Sequence, residues 1–573
     1  MHADLILKNA LVFQTFEQCF LKMDLAITGE RFQTLSPVFP SADWTADRVV
    51  DCTGKYIVPG LIDIHMHVES SMTYPYAFSR WALTHGTTTV VSDPHEIANV
   101  FGLAGIEAFL EQTPVLDIFY GIPSCVPSTD ASMETSGGAI TEAEVETLLG
   151  HEKIVCLGEV MNFQALVSQE ETLLRRIIAL CRRRRPSLRL EGHCPAITGE
   201  DLSAFIAAGV DADHTQQTPE SVVEKSRKGM FLELQAKSLT REVIAAMNDH
   251  HLWENAALVT DDVMPDKLLK GHLNENIKLA AANGMAMEQA IYCATWTPAR
   301  RMGFTDRGII APGRLADFLI LSDLDTFAIE AVYKRGRPYT GEEPSAEQFR
   351  FPETFYHSIH CREAVAEDFV LRVPDHLTEV QANVMGCKTF GNATEHRVRT
   401  LPVRDGVVDW QSAGLNLVTV YERYGKTGGI AHALTEPGFT APGAVATSWS
   451  HDSHNLLVSG NCVEDMIAAQ REVVRRQGAY VCVWGGQVTA AGLPVGGILS
   501  DGPIEDLARE LGAVRRAMEA LGYDNNNVIM NLSTQSLLVS PELKVSERGL
   551  FLVKTQTRLP LLFWQDGEEG GIL

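Results

Sequence analysis

Short apolar runs that end in His, Asp or Glu recur through the middle of the chain, and this repeat constrains the fold more than any other feature. The runs alternate with helical patterns between about residues 60 and 305, as expected for repeated βα units. About 245 residues is a typical size for a (β/α)8 barrel. Barrels of this kind keep their chemistry at the carboxyl ends of the strands. The sequence therefore predicts an α/β, TIM-like barrel with a site at those ends. The runs are LIDIHMH, TTTVVSDPH, KIVCLGEVM, LRLEGHC, VDADHT, MFLELQA and AALVTDD.

β-rich segments flank the predicted barrel. Strand-like runs separated by turn residues fill residues 1–59, and similar runs return over residues 306–344. We expect these two pieces to form one small β-domain, with the barrel at 60–305 inserted between them. Residues 345–573 begin with a polar connector and then alternate β-runs with amphipathic helices. They predict a separate C-terminal α/β domain.

The charge balance and the cysteines exclude several classes of protein. The chain has 48 Lys+Arg against 73 Asp+Glu, a net charge of −25, whereas nucleic-acid binding depends on neutralising phosphates with basic residues. No apolar stretch approaches the roughly 18 residues of a membrane span, and the N-terminus lacks a signal-peptide pattern. The 11 cysteines are odd in number and form no CxxC pair, so no disulfide framework or Cys-rich zinc site is indicated. We expect a soluble cytoplasmic protein with no nucleic-acid or membrane partner.

Metal-ligand residue types stand at the ends of the predicted strands. His65 and His67 are two residues apart, so both imidazoles point to the same side of an extended strand. Imidazole is the commonest protein ligand of metals, although two such residues could equally be loop histidines. Later strands raise the expectation, because a further ligand follows four of them. Each alone could be a helix cap or a core residue, but together they predict a binuclear metal site. These residues are Glu159, His193, His214 and Asp261.

Longer motifs carry a family resemblance. PGLIDIHMHVESSM, HGTTTVVSDPHEIANVFG, LGEVMNF, GHCPAITGEDL and TDDVMPDKLLKGHL in the first half, and SWSHDSHNLLVSG and LPVGGILSDGP near the end, resemble the adenine deaminases of the amidohydrolase superfamily. The likeness covers nearly the whole chain. HxH alone indicates only the superfamily, whereas the other motifs are more specific.

The resemblance implies two divalent ions, Mn(II) or Fe(II), with Zn(II) as the alternative. His65, His67 and Asp261 would bind one ion, His193 and His214 the other, and Glu159 would bridge them. Many relatives in the superfamily use a carboxylated lysine as the bridge. A glutamate in this place suits hard divalent ions that accept carboxylate and imidazole.

The implied reaction converts adenine to hypoxanthine and ammonia, in purine salvage. A water shared by two cations has a lowered pKa and can attack C6 of the ring. The leaving amino group must then be protonated by a general acid. Asp261 is the first candidate for this proton shuttle, and His95 and Glu96 are the second. A polar loop that caps the next helix is an equally good interpretation of the latter two.

Recognition of the purine is less clear from the sequence. A purine pocket needs mostly apolar walls with a few placed donors and acceptors. The candidates Glu69, Ser70, Ser124, Glu134 and Gln235 stand close to the motifs, but each could equally belong to a solvated loop. SWSHDSHN also contains His451 and His454, which would either reach the barrel mouth, hold a metal, or stabilise a turn of the last domain.

Two departures from the family pattern bear on the substrate. GMFLELQAKS has Gln235 and Ala236 where the family is expected to have an Arg-Glu pair, and Thr215 follows His214 where a Glu is expected. Fewer charges near the mouth could change which ring is accepted. Two alternatives therefore stay open: a hydrolase with the same site acting on another purine or a cyclic amide or amidine, and a catalytically inactive metal-binding barrel. We expect a small-molecule substrate and, because superfamily barrels often associate, a homo-oligomer.

Overall fold

The N-terminal segment forms part of a β-sheet that the chain completes only after the barrel. The computed structural model describes residues 1–37, 44–344, 346 and 349–564. In β1 the side chains of Ala3, Leu5 and Leu7 are buried while those of His2 and Asp4 are exposed, the alternation of a strand with one face on a core. The first strands are β1 (His2–Gln14), β2 (Cys19–Thr28), β3 (Arg31–Ser36), β4 (Thr45–Asp51) and β5 (Tyr56–Pro59).

Eight parallel strands between residues 61 and 258 form the barrel. They are β6 (Leu61–Met66), β7 (Thr87–Ser92), β8 (Asp117–Ile122), β9 (Ile154–Val160), β10 (Arg189–Gly192), β11 (Ala212–Asp213), β12 (Phe231–Leu234) and β13 (Ala256–Leu258). Strands β6 to β10 pair in order, and so do β11 to β13. The backbone N–H of Asp211 donates to the Leu190 carbonyl at 3.4 Å, and a parallel bridge between Met66 and Asp261 joins the last strand to the first. The predicted TIM-like barrel is confirmed.

Strand β8 is the one barrel strand that the seven predicted runs do not contain. Its sequence DIFYGI continues into Pro123 and Ser124, whereas most of the other strands lead into His, Asp or Glu. The polar ending that marks the neighbouring strands is therefore missing from this one.

Helices cover the outside of the barrel. In α6 the side chains of Leu174, Ile177 and Cys181 are buried, which is the spacing of one helical face. The helices before residue 303 are α1 (Pro75–Thr84), α2 (His95–Phe101), α3 (Leu103–Leu110), α4 (Glu142–Leu148), α5 (Phe163–Val167), α6 (Leu173–Arg184), α7 (Gly199–Ala207), α8 (Pro219–Arg227), α9 (Arg241–Asp249), α10 (Pro265–Leu268), α11 (Leu273–Ala282), α12 (Met287–Cys293) and α13 (Trp296–Met302).

After the barrel the chain returns to the first sheet. β14 (Phe318–Asp323) pairs antiparallel with β5 and with β15 (Ala328–Lys334), which pairs with β16 (Arg337–Pro338). The two β-rich segments therefore share one sheet. The division of the chain into domains stays a prediction. Residues 345, 347 and 348 beside the predicted boundary, and 565–573 at the end, lie outside the described residues.

The C-terminal part builds a large, mainly antiparallel sheet. Among its described strands, only the pairing of β17 with β21 is parallel. Its strands are β17 (Glu379–Cys387), β18 (Thr394–Arg404), β19 (Val407–Val408), β20 (Asn416–Tyr421), β21 (Ile430–Glu436), β22 (Gly443–Thr447), β23 (Leu456–Gly460), β24 (Ala479–Trp484), β25 (Gln487–Gly492) and β29 (Leu562–Phe563). Strands β26 (Leu543–Ser546), β27 (Gly549–Leu552) and β28 (Thr557–Leu559) form a smaller sheet.

Helices α14 (Val463–Arg476) and α15 (Ile504–Ala520) pack on this sheet, and α16 (Val528–Ser533) packs on α15. The buried face of α14 carries Met466, Ala469 and Val473, again at helical spacing.

The C-terminal part packs against loops at the carboxyl ends of the barrel strands. The Lys426 ammonium donates to the carbonyl of Ser136 at 2.8 Å, and the Asn455 amide donates to that of Thr135 at 2.8 Å. One continuous hydrophobic cluster contains residues of both parts. Residues of the C-terminal part therefore cover part of the barrel mouth.

Two further observations concern the whole described chain. Each of the 11 cysteines is free of a disulfide. Within the described ranges, the helices are too short or too polar to cross a membrane.

Candidate metal centre

Glu159, at the end of β9, lies at the middle of the predicted ligands. Its Oε2 is 2.9 Å from His193 Nδ1 and 3.2 Å from His214 Nε2. Its Oε1 is 3.5 Å from His67 Nε2. The two carboxylate oxygens therefore face different histidines, which is the arrangement that a bridging ligand requires.

His65, His67 and Asp261 form the second half of the cluster. His67 Nε2 is 3.5 Å from Asp261 Oδ1, and the His65 ring stacks on that of His214 with centroids 3.7 Å apart. Asp261 has a left-handed backbone (φ 60°), which is uncommon outside glycine and is often found at functional sites. The structure thus brings the six predicted metal ligands together at one end of the barrel.

The donor atoms fit divalent cations. Nδ1 of His67 donates to the Asp93 carbonyl at 3.0 Å and Nδ1 of His214 donates to the Gly192 carbonyl at 3.1 Å. These bonds fix the orientation of the two rings, so that each Nε2 faces the cluster. Three overlapping groups have ligand atoms within 4.8 Å of one another, and such sets of imidazole and carboxylate suit first-row divalent metals. The groups are His65–Glu159–His214, His65–His67–Asp261 and His67–His95–Glu159.

Burial and mutual charge shift the pKa values of these ligands. Burial, together with the neighbouring imidazoles, holds the pKa of His65 and that of His214 well below the usual value. Burial raises the pKa of Asp261, but its contact with His67 and the charge of Lys237 bring it below the usual value. The two imidazoles are therefore neutral and the carboxylate is ionised, the forms that bind metal ions.

Asp63 connects the first barrel strand to the segment that follows the last one, where the barrel closes. Its carboxylate accepts hydrogen bonds from the backbone N–H of His65 at 3.3 Å and from that of Thr260 at 3.2 Å. Burial raises the pKa of Asp63 to about 7, while the hydrogen bonds from Thr260 and His65 oppose this increase. One buried side chain thus holds the backbone beside both His65 and Asp261.

Asp93 has the same relation to the bridging glutamate. Its Oδ2 accepts from the Glu159 backbone N–H at 2.8 Å. This approach requires glycine at position 158, because a Cβ there would overlap the carboxylate of Asp93. The same residue accepts from His67 through its carbonyl, so Asp93 orients ligands from two strands.

Asp213 is the third buried aspartate of this kind. Its Oδ1 accepts from the Cys194 backbone N–H at 2.8 Å, next to His193, and its Oδ2 is 2.7 Å from the ammonium of buried Lys225. Thr215 donates to the same carboxylate at 2.9 Å, and Gln217 does so as well. Thr215 therefore belongs to this buried network.

The structure places the two second candidates for proton transfer differently. His95, the first residue of α2, has Nδ1 at 3.7 Å from Glu159 Oε1 and is beside the metal ligands. Glu96 instead contacts the C-terminal loop, with Oε1 at 3.5 Å from His451 Nδ1 and Oε2 at 3.4 Å from His454 Nε2. Both histidines of SWSHDSHN thus reach the barrel.

Ser124 and Gln235 lie beside two of the candidate metal ligands. Ser124 donates to the Glu159 carbonyl at 2.7 Å. Gln235 donates to Asp261 Oδ2 at 2.8 Å and to the His214 carbonyl at 3.0 Å. The neighbouring Ala236 is exposed.

The other predicted substrate residues are buried a little further out. Glu69 accepts from the Ile97 backbone N–H at 3.2 Å, and Ser70 donates to Asp262 Oδ1 at 2.6 Å. Glu134 Oε1 accepts from the Ser128 hydroxyl at 2.8 Å. These are closed hydrogen-bonded loops rather than solvated ones.

Several residues near the candidate ligands were not predicted from the sequence. Asp93 follows β7 and Asp213 ends β11, so the strand-end pattern could have found these two. Glu233 lies inside β12 with Oε2 at 3.7 Å from His65 Nδ1, and Asp452 comes from the C-terminal loop, 3.9 Å from His95. Only the folded structure shows that these two are near the ligands.

A (β/α)8 barrel whose strand ends collect imidazoles and carboxylates around one glutamate defines a metal-dependent hydrolase. Residues 56–339 match the amidohydrolase family, and residues 392–557 match the adenine deaminase C-terminal domain. The chain is 47% identical over 568 residues to adenine deaminase 2 of Oenococcus oeni, covering 99% of this chain and 100% of the relative.

Two other relatives agree. Identity to adenine deaminase of Clostridium perfringens is 46%, covering 97% of this chain and 98% of the relative. Identity to adenine deaminase of Lactobacillus delbrueckii subsp. bulgaricus is 45%, covering 97% and 99%. The chain belongs to the adenine deaminase family.

Proposed function

We propose that this protein hydrolyses adenine to hypoxanthine and ammonia, as a step of purine salvage. The observation that carries the proposal is the convergence of four histidines, Glu159 and Asp261 at one end of a barrel of this family. The relatives that share nearly its full length are named adenine deaminases.

The ligands divide into two sets. His65, His67 and Asp261 would hold one divalent ion, His193 and His214 the other, and Glu159 would bridge them. When bound, such a pair of ions lowers the pKa of a shared water and makes a nucleophile available at neutral pH. Carboxylate and imidazole donors favour Mn(II) or Fe(II), with Zn(II) as the alternative.

Asp261 would move the proton. Gln235 donates to its Oδ2, which fixes the carboxylate plane and leaves Oδ1 on the side of His67. Oδ1 would take the proton of the attacking water and return it to the amino group that leaves as ammonia. His95, beside Glu159, is the second candidate for this transfer.

Access to the centre lies on the side of His193. Its side chain is 24% exposed, against 2–4% for His65, His67, His214 and Glu159. The adenine ring would therefore approach past His193, and the buried ligands would remain shielded from bulk water.

Ammonia release from a substrate panel tests the proposal. Protein from cells grown with manganese is assayed with adenine, other purines, pyrimidines and cyclic amides, and its metal content is measured. We expect turnover of adenine with two ions bound. Turnover of another compound but not adenine would reject the substrate, and bound ions with no turnover at all would indicate an inactive barrel.

Asp261→Asn examines the proton shuttle. The change removes the carboxylate charge at nearly constant shape, so the protein should fold and retain much of its metal while turnover stops. Metal analysis of the same sample is the control. Full activity of this variant would refute the role given to Asp261.

We further propose that the protein acts in the cytoplasm as a homo-oligomer. The 11 unpaired cysteines support a reducing compartment. Light scattering on the purified protein measures its oligomeric state, and a monomeric mass would contradict the second part.

A further inference from the structure

Barrel and C-terminal residues form a second polar cluster beside the metal centre. The loop 449–455 places Asp452 with Oδ1 at 3.9 Å from His95 Nε2 and at 3.4 Å from His451 Nδ1. His451 in turn lies 3.5 Å from Glu96. We call His95, Glu96, His451 and Asp452, together with Glu134, the interdomain cluster.

Glu134 joins the cluster from the barrel loop that follows β8. Burial raises the pKa of Glu134 to about 7, and the nearby charge of Asp452 adds to the increase while hydrogen bonds from Thr129 and Ser128 oppose it. The backbone of the same loop accepts a hydrogen bond from Asn455 through the Thr135 carbonyl at 2.8 Å. Glu134 and Asp452 are thus held on two sides of the domain contact.

Several polar atoms of the interdomain cluster have nothing to bond to. Glu134 Oε2, His451 Nε2 and Asp452 Oδ2 are buried and meet no hydrogen-bond partner in the described part of the chain. Their residues are only 1%, 5% and 2% exposed. His95 Nδ1 and Glu96 Oε2 are in the same state. Buried polar groups in proteins are ordinarily hydrogen-bonded, so this set of unpartnered atoms in one cluster indicates a ligand that supplies the missing partners.

The spacing of the cluster argues against a further cation. A metal ion requires its donor atoms to converge on one point. Among the described residues, the groups whose ligand atoms lie within 4.8 Å of one another are those of the metal centre and an exposed group around His2. None of them contains a residue of the loop 449–455.

A flat heterocycle fits the chemistry better. Carboxylates accept hydrogen bonds, and imidazoles both donate and accept them. The edges of adenine carry an amino group, a ring N–H and ring nitrogens that accept, and proteins recognise bases through such edges. The interdomain cluster offers both kinds of partner.

We infer that Asp452, His451 and Glu134 bind the ring nitrogens of the purine, so that the C-terminal domain completes the active site. The inference rests on the proposed function. One imidazole ring, that of His95, separates Asp452 from Glu159, with contacts of 3.9 and 3.7 Å at its two ends. The cluster therefore adjoins the metal centre. A purine lying beside His95, with its six-membered ring at the metal centre, would point its five-membered ring to the C-terminal domain and donate its N–H to Asp452.

Asp452→Asn tests the inference, with Ser453→Ala as the matched control in the same loop. Metal content, KM and kcat for adenine, and equilibrium binding of hypoxanthine by calorimetry are compared. Losing a charged hydrogen-bond acceptor should weaken hypoxanthine binding and raise KM about ten- to a hundredfold, with metal content unchanged. The ratio of kcat/KM for adenine to that for 9-methyladenine, which lacks the N9–H, should fall about tenfold. Ser453→Ala should match the wild type.

Glu134→Gln is an independent test at a barrel residue of the same cluster. It replaces the first test if Asp452→Asn does not fold. We expect it to weaken hypoxanthine binding about tenfold. Wild-type binding and an unchanged adenine preference in both variants would overturn the inference, as would loss of bound metal in proportion to the loss of hypoxanthine binding. If the wild type itself releases no ammonia from adenine, the proposed function fails instead, so the two failures are distinguishable.

Discussion

Removing the cation of the buried Asp213–Lys225 pair should destabilise the barrel and loosen the metal centre together. Lys225 is 2% exposed and Asp213 is fully buried, with 2.7 Å between Nζ and Oδ2. Lys225→Met leaves the carboxylate buried without its counter-charge. Asp213 also holds the Cys194 N–H, so any movement of this carboxylate is transmitted to the adjacent His193.

The expected size follows from the depth of the pair. Breaking a buried pair by removing one partner costs about 3–5 kcal/mol, whereas replacing both partners with neutral groups is often close to neutral. Asp213→Asn combined with Lys225→Met should therefore be more stable than Lys225→Met alone, with a coupling energy of at least about 2 kcal/mol. Affinity for metal should fall about ten- to a hundredfold in the single variant, because it loses support behind a ligand.

Two measurements decide the matter. Denaturant unfolding of the metal-free protein, followed by circular dichroism, gives the stabilities of the wild type, both single variants and the double variant. Titration of the same samples with manganese gives the affinities. If the double variant is no more stable than Lys225→Met, the buried charge is not the source of the loss and the reasoning is refuted.

Three smaller perturbations are informative. Gly158→Ala should displace Asp93 and lower metal affinity about tenfold in a titration of the metal-free protein, while Gly150→Ala, which meets only one atom at 3.5 Å, should change nothing. Gln235→Leu should lower kcat about tenfold or more and shift the pH profile of kcat/KM, and an unchanged profile would contradict its positioning role. Burial lowers the pKa of Lys544 from 10.5 to about 7, so between these pH values the unfolded chain binds the extra proton and stability rises with pH. In Lys544→Met, the denaturant midpoint of unfolding should rise less between pH 7.5 and pH 9.5 than in the wild type. An equal rise in the variant would contradict the role given to Lys544.

The barrel, and the convergence of the candidate metal ligands at one end of it, could be predicted from the sequence because each strand and its polar residue are neighbours in the chain. A strand of a parallel barrel is a short apolar run, and the polar residue stands at its end or shortly after it. His65 lies near the end of β6 (Leu61–Met66), and Asp261 comes three residues after β13 (Ala256–Leu258). Strand β8 (Asp117–Ile122) has no such ending, so the same signal could not find it. The sheet shared by the two segments that flank the barrel was predictable for the same reason, since turn residues separate its strands.

The residues that surround the ligands depend on contacts between distant parts of the chain. Asp452 is in a loop of the C-terminal part, and its place beside His95 follows from the packing of that part on the barrel mouth. Lys225 is on the outer helix α8 and reaches inward to Asp213. Neither fact has a local sequence signal, because the partner stands in another element.

The pairing of β5 with β14 has a consequence for biosynthesis. Pro59 faces Phe318 across this pair, and the entire barrel lies between them in the chain. During translation the first five strands emerge early, yet their sheet stays unfinished until the ribosome has made β14 to β16, which follow the whole barrel. Contacts between segments so far apart form slowly, and until then the unpaired edge of β5 is open to association with other chains.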